Sequence, residues 1–314
     1  MNNIRSTPVI SVVIPVYNGA KTIKETIESV LQQSYENFEI IVINDGSQDE
    51  TLAVINSIKD QRIKVFSYSN AGLSASRNRG FAQARGEFIA FLDADDLWTK
   101  DKLEAQLEAL QQNPQAAVAY SWTDHIDENG KFLRPASYNS CNGNVYQRLL
   151  IGNFLVSGSN TLIRTQALTK VGGFDESLNS AEDWDMWLRL ASLYEFVVVP
   201  RPQVLYRISP YSMSANVFKM ESASLQVIER AYSQAPEALQ HLKKETLAFI
   251  YKFLMDKALQ DCVRSQRGLK AVKVLVHYLK KDSSLFHSRK LKVILLSKVI
   301  TANLFPFYQT QIKW

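Results

Sequence analysis

Apolar positions along the first third of the chain alternate between two periods. Val9-Ile10-Ser11-Val12-Val13-Ile14 is a short β-branched run, the pattern of a parallel strand buried on both faces. From about Ala20, Ile23, Ile27, Val30 and Leu31 recur at helical spacing. Residues 38–43, 63–68 and 88–92 read as three further strands. Between the first two, Ser47 and Glu50 have capping-box spacing and open a helix carrying Leu52 and Ile55. Residues 72–84 read as a loop leading into a helix that Gly86 ends. A helix bearing Leu103, Leu107 and Leu110 stops before Pro114. Strand–helix alternation of this kind predicts an α/β fold, a mostly parallel mixed sheet flanked by helices.

Residues 145–214 are mixed. Thr161-Leu162-Ile163 suggests a strand, residues 182–193 a helix with acidic residues in its first turn, and residues 196–199 another short strand. From Phe218 onward the period is helical: Leu225, Ile228 and Tyr232 share a face, as do Leu269, Val272, Val276 and Leu279, and then Leu291, Ile294 and Leu295. The expectation is a catalytic domain over residues 1–216 and a C-terminal helical appendage over residues 217–314.

The length of 314 residues supports a sizeable core, and the composition, 46% hydrophobic and 21% charged, is that of a globular protein. Cys141 and Cys262 lie far apart and form neither a metal pair nor a disulfide framework. No basic-then-apolar leader pattern opens the sequence, and no apolar run reaches the length of a membrane span, so a cytoplasmic location is expected. The net charge of +5 is unevenly placed: residues 264–298 hold ten lysines and arginines against Asp282 alone. This basic tail predicts peripheral contact with an anionic membrane surface on the inner face of the cell membrane; the competing reading is helices packed on the catalytic domain with solvated lysines. Nucleic acid is not an expected partner, because the basic segment lacks an aromatic stacking platform.

Three polar clusters fall at the carboxyl ends of predicted strands, where open α/β sheets bind ligands. They are Pro15-Val16-Tyr17-Asn18, Asn44-Asp45-Gly46-Ser47 and Asp93-Ala94-Asp95-Asp96. A carboxylate cluster after a buried strand is costly unless a positive charge arrives, and hard cations prefer such oxygens. The competing reading is that Asp95 or Asp96 merely caps the next helix. No glycine-rich phosphate loop follows the first strand, which counts against a dinucleotide oxidoreductase and a P-loop phosphotransferase. A diphosphate would then be neutralised by a divalent cation with help from a basic side chain such as Arg77. Glu182-Asp183-Trp184-Asp185-Met186-Trp187 places three carboxylates in one helical turn between two tryptophans. It reads either as a general base beside flat apolar surfaces for sugar rings, or as a dipole-stabilised helix start with core tryptophans.

Taken in order, these segments resemble the bacterial family-two glycosyltransferases of the GT-A fold. The matching segments continue through Gly72-Leu73-Ser74-Ala75-Ser76-Arg77-Asn78, Gly172-Gly173-Phe174-Asp175-Glu176, Leu188-Arg189 and Tyr206-Arg207, over roughly the first two-thirds of the chain. The resemblance implies a nucleotide-sugar co-substrate, with uridine diphosphate as the expected nucleotide, and a divalent cation, Mn²⁺ or Mg²⁺. It implies that Pro15, Tyr17, Asn18 and Asp45 serve the nucleotide, and that Arg77 lies near the ribose and diphosphate. Asp93 approaches the ribose, Asp95 binds the metal, and Arg207 or Ser212 reaches the diphosphate. Asp183 is the implied general base, with Glu182 beside it, for transfer with inversion to a hydroxyl of a glycan or lipid-linked acceptor. Where many relatives place a histidine after Tyr-Arg, this chain has Ser209. The Gln-x-x-Arg-Trp motif of processive synthases is absent, so addition of a single sugar is expected. A nucleotidyltransferase and a non-catalytic nucleotide-sugar scaffold are the alternatives. The first lacks its glycine-rich loop here; the second fits poorly with the presence of both Asp95 and Asp183.

Overall fold

The computed structural model describes residues 8–209 and 217–265. Its first element is β1 (Ile10–Val16), every residue of which is buried. It pairs in parallel with β2 (Phe38–Asn44) on one side and β4 (Phe88–Phe91) on the other; β2 in turn pairs in parallel with β3 (Ile63–Ser67). The largely apolar run of β1, interrupted at Ser11, follows from burial on both faces. Val12, Ile14 and Val16 join Ile23 and Ile27 of α1 (Ile23–Leu31) in one core cluster. On the opposite face Val13 meets α3 (Leu73–Gln83) at Gly80, where an added Cβ would come within 2.2 Å of Val13 Cγ1.

The rest of the sheet is mixed. The remaining strands are β5 (Leu97–Trp98), β6 (Ala116–Ile126), β7 (Phe132–Ser137), β8 (Leu162–Arg164) and β9 (Glu195–Arg207). Strand order is β3-β2-β1-β4-β8-β6-β9-β5, with β7 paired to β6. β8 runs antiparallel between β4 and β6, whereas β6 and β9 are parallel. Helices α2 (Thr51–Ser57), α4 (Lys102–Gln112), α5 (Tyr146–Ile151), α6 (Thr165–Val171) and α7 (Glu182–Ala191) complete this part.

Three local readings are corrected. The capping box does not form: Ser47 Oγ instead accepts the N–H of Asn18, and the carboxylate of Asp49 receives the N–H of Thr51 at the start of α2. β9 runs thirteen residues, well beyond the short strand expected at 196–199, because its pairing with β6 skips from Val199 to Pro202 and absorbs both prolines in an irregularity. α3 begins directly at Leu73, with no intervening loop after Gly72.

By its internal contacts the first compact unit ends at Ser209, and Leu150–Gly152 belong with the C-terminal helices. Those are α8 (Val217–Gln234), a 3₁₀ turn (Glu237–Leu242) and α9 (Lys243–Ser265). Inside this second unit the Tyr232 hydroxyl bonds to Thr246, whose own hydroxyl donates to Leu150 O. No helix among the described residues is long and apolar enough to cross a membrane. The predicted helical faces at 269–279 and 291–295, with most of the basic tail, lie outside the described residues.

Candidate active site

Parallel register brings the ends of β1, β2 and β4 side by side, and two of the polar clusters are tied together there. The Asn18 side chain accepts the N–H of Gln48, while its own N–H goes to Ser47. Asn18 holds a left-handed backbone, φ 51°, a conformation asparagine tolerates better than most residues. Tyr17 is half exposed beside them. Asp45 is buried, and its carboxylate accepts the N–H groups of Ala71 and Gly72 and a bond from Arg79. It thereby fixes the loop that starts α3. The Arg79 guanidinium lies 4.7 Å from the centre of the Tyr68 ring.

The acidic cluster after β4 is divided between interior and surface. Asp96 is fully buried; it accepts the Ser159 hydroxyl at 2.6 Å and the N–H of Arg207 at 3.0 Å. Burial, then Asp95 and Asp93, push its carboxyl well above the usual range. The Ser159 oxygen also accepts the N–H of Asp93, so one serine sets the turn from both ends. Asp95 is half-buried. Burial and then Asp93 raise its carboxyl to about 6, opposed by its own backbone N–H and by Arg207. Among the described residues no group of three or more histidines, cysteines and carboxylates closes into a metal cage. An undercompensated carboxylate at a strand end nevertheless suits a hard divalent cation, which keeps water and phosphate oxygens for most of its shell.

Across from this turn lies α7. Its helix opens on Ala181, held at φ 57° in the left-handed region, which turns Glu182 inward. Glu182 pairs with Arg77 at 2.7 Å and Asp93 pairs with the other Arg77 nitrogen at 2.6 Å. Arg77 is 1% exposed. Burial disfavours its charge, but Asp93, Glu182 and Asp183 hold its proton more tightly than an ordinary arginine does. Gly158 makes room for it: an added Cβ there would come within 2.5 Å of a guanidinium nitrogen. Asp183 accepts the N–H of Trp184. Burial and Glu182 raise its carboxyl to about 8, with Arg77 opposing. The site therefore contains a carboxyl whose proton affinity is close to neutrality, the condition for general base chemistry.

The two arginines expected near the diphosphate are both bonded within the protein. Arg77 spends its guanidinium on Asp93 and Glu182, inside the carboxylate cluster. Arg207 is also buried, and its guanidinium donates to Asp95 O, Asp127 O, Glu128 O and the Glu25 carboxylate. It clamps the backbone under Asp95 and is not aimed at open space. Ser209 donates to Glu128 at 3.4 Å, and Ser212 lies outside the described residues. Trp184 and Trp187 are core residues, 4% and 0% exposed, so the reading as a dipole-stabilised helix start with core tryptophans holds for them. Sequence reasoning passed over Gly158, Ser159 and Asn160. The one signal available was a run of small polar residues, Ser157-Gly158-Ser159-Asn160, immediately before a strand.

Residues 11–258 match the family described as "Glycosyltransferase like family 2". The chain belongs to that family. An uncharacterized glycosyltransferase of Rickettsia bellii is 39% identical over 184 residues; the match covers 58% of this chain and 26% of the relative's length. The chain thus spans about a quarter of that relative. Among solved structures, S. aureus TarS in complex with UDP-GlcNAc superposes with a TM-score of 0.67 at 20% identity, covering 94% of this chain and 89% of that one. The mannosyltransferase PcManGT of Pyrobaculum calidifontis, in complex with GDP-Man and Mn²⁺, gives 0.63 at 18% identity, covering 95% and 88%. At these identities the likeness carries the fold, a GT-A-like α/β architecture.

Proposed function

We propose that this family-two glycosyltransferase moves one sugar from a nucleoside diphosphate sugar, with uridine diphosphate the preferred carrier, to a hydroxyl of a glycan or lipid-linked acceptor. The observation that carries the reading is Asp183, set at the start of α7 beside the Arg77–Asp93–Glu182 network, its carboxyl raised to about 8 by burial and Glu182 against the pull of Arg77. The nucleotide choice is supported by TarS, solved with UDP and with UDP-GlcNAc, and the cation by PcManGT, solved with Mn²⁺.

In this mechanism Pro15, Tyr17, Asn18 and Asp45 receive the nucleotide at the ends of β1 and β2, with Arg79 and Tyr68 forming one wall. Asp93, oriented by Arg77, lies toward the ribose. Asp95 is the residue that would hold Mn²⁺ or Mg²⁺, and a cation bound there supplies positive charge against the departing diphosphate. Arg207 keeps the Asp95 backbone in place. Asp183 removes the proton of the acceptor hydroxyl as that oxygen attacks the anomeric carbon from the face opposite the leaving group, which inverts the centre. Glu182 stays paired to Arg77 and sustains the proton affinity of Asp183.

Release of UDP from UDP-N-acetylglucosamine, UDP-glucose and UDP-galactose tests the assignment. Asp183→Asn is expected to cut release by about 10²- to 10⁴-fold, the usual contribution of a general base, with UDP affinity unchanged. Equal turnover in wild type and variant would remove Asp183 from the role.

A further inference from the structure

A rigid aromatic platform stands on the described surface of the catalytic unit, and nothing above uses it. Trp122 of β6 and Tyr138, just past β7, stack with ring centres 4.6 Å apart and planes inclined by 13°. Tyr138 is the outer ring and remains 45% exposed. Its hydroxyl donates to Asp124 Oδ1 at 2.8 Å, and Trp122 Nε1 donates to Asn139 O at 3.0 Å.

The segment carrying Tyr138 is fastened along its length. Ser137 Oγ donates to Phe154 O, the Tyr120 hydroxyl to Cys141 O, and the N–H of Val198 to the Asn142 side chain. An exposed tyrosine held this firmly presents one flat face to solvent with little entropy left to lose on binding. β6 also ends at the reaction edge: Ile126 pairs with Arg207, whose guanidinium spans Asp95 O and the turn after β6. On the other face of β6, Ser121 and Thr123 bond to Asn160, next in sequence to Ser159 beneath Asp93 and Asp96.

We propose that the Tyr138–Trp122 stack, with the Asp124 carboxylate beside it, is an acceptor subsite that receives a pyranose ring, which makes the acceptor a glycan. A pyranose offers a face of axial C–H groups that packs on an aromatic ring, and the buried Asp124 carboxylate holds that ring in place through the Tyr138 hydroxyl. A peptide would need an open strand edge or groove, whereas one exposed flat ring is the size of a single sugar. The proposal rests on the glycosyltransferase reading and specifies its acceptor.

The test is saturation-transfer NMR on the full chain with Mg²⁺ and UDP, using methyl β-glucoside, β-galactoside and β-N-acetylglucosaminide as probes. At least one glycoside is expected to receive saturation on its axial ring protons. The signal falls by about two- to ten-fold in Tyr138→Ala, the range of one aromatic stacking contact, and persists in Tyr138→Phe. An unchanged thermal midpoint shows that the exposed ring was not needed for folding. The proposal is overturned by an absence of saturation in all three glycosides, or by saturation that survives Tyr138→Ala. Calorimetric UDP binding in the same samples separates the two claims: UDP bound without any glycoside response removes the platform and leaves the donor reading standing, whereas failure to bind any nucleotide removes the donor reading while the glycoside result still decides the platform.

Discussion

Asp183 holds its proton because burial and Glu182 outweigh Arg77, and that arrangement costs stability. Its folded pKa, about 8, lies above the ordinary aspartate value near 3.8, so the protonated form favours the fold. The favourable contribution is complete below about pH 4, near the unfolded value, and is lost as pH rises through about 8. Asp183→Asn should therefore raise the thermal midpoint of the metal-free protein, by a margin that widens from pH 4 to pH 8; equal midpoints at pH 8 would contradict this. Arg77 acts in the opposite direction. Replacing it by methionine strips the half-buried Asp93 and the buried Glu182 of their counter-charge and should destabilise by about 3–5 kcal/mol in urea unfolding. At this scale the sequence identified the residue types well and their partners poorly. Arg77 and Arg207 are visible as cations beside a carboxylate site, but only the fold shows that carboxylates and backbone carbonyls from distant segments have already engaged them.

Elements show the same division. β1, β2 and β4 are legible because both faces are buried and nearly every position is apolar, Ser11, Glu39 and Asn44 being the exceptions. β6 is not, although it is eleven residues long. Its Ser121, Thr123 and Asp124 break the apolar pattern, and they are tolerated because Asn160, Gln106 and Tyr138 satisfy them. The tight contact of α3 on β1 gives an element-scale prediction. Gly80→Ala should cost about 1–3 kcal/mol by overpacking against Val13 while leaving UDP affinity intact, as measured by chemical unfolding and calorimetry. The loop before β8 gives the converse. Ser159→Ala removes the bonds that set Asp93 and Asp96, so the metal dependence of UDP binding should weaken more than the fold does.

For the whole molecule, strand–helix alternation made the architecture readable in advance, and the polar clusters at strand ends gave the candidate site its expected place. The proposed acceptor platform was not readable, because the rings of Tyr138 and Trp122 come together through the β6–β7 pairing. The basic residues of 264–298 lead to a prediction at this scale: the full chain should float with anionic vesicles at moderate salt and lose them when that segment is removed, and no flotation would sink the membrane expectation. The central claim is that Asp95 holds the cation that completes the donor site. Calorimetric titration of UDP with and without Mn²⁺, on wild type and on Asp95→Ala, tests it most directly. The account predicts binding that Mn²⁺ strengthens in wild type and a loss of that strengthening in the variant. Equal Mn²⁺-dependent binding in both proteins would contradict it.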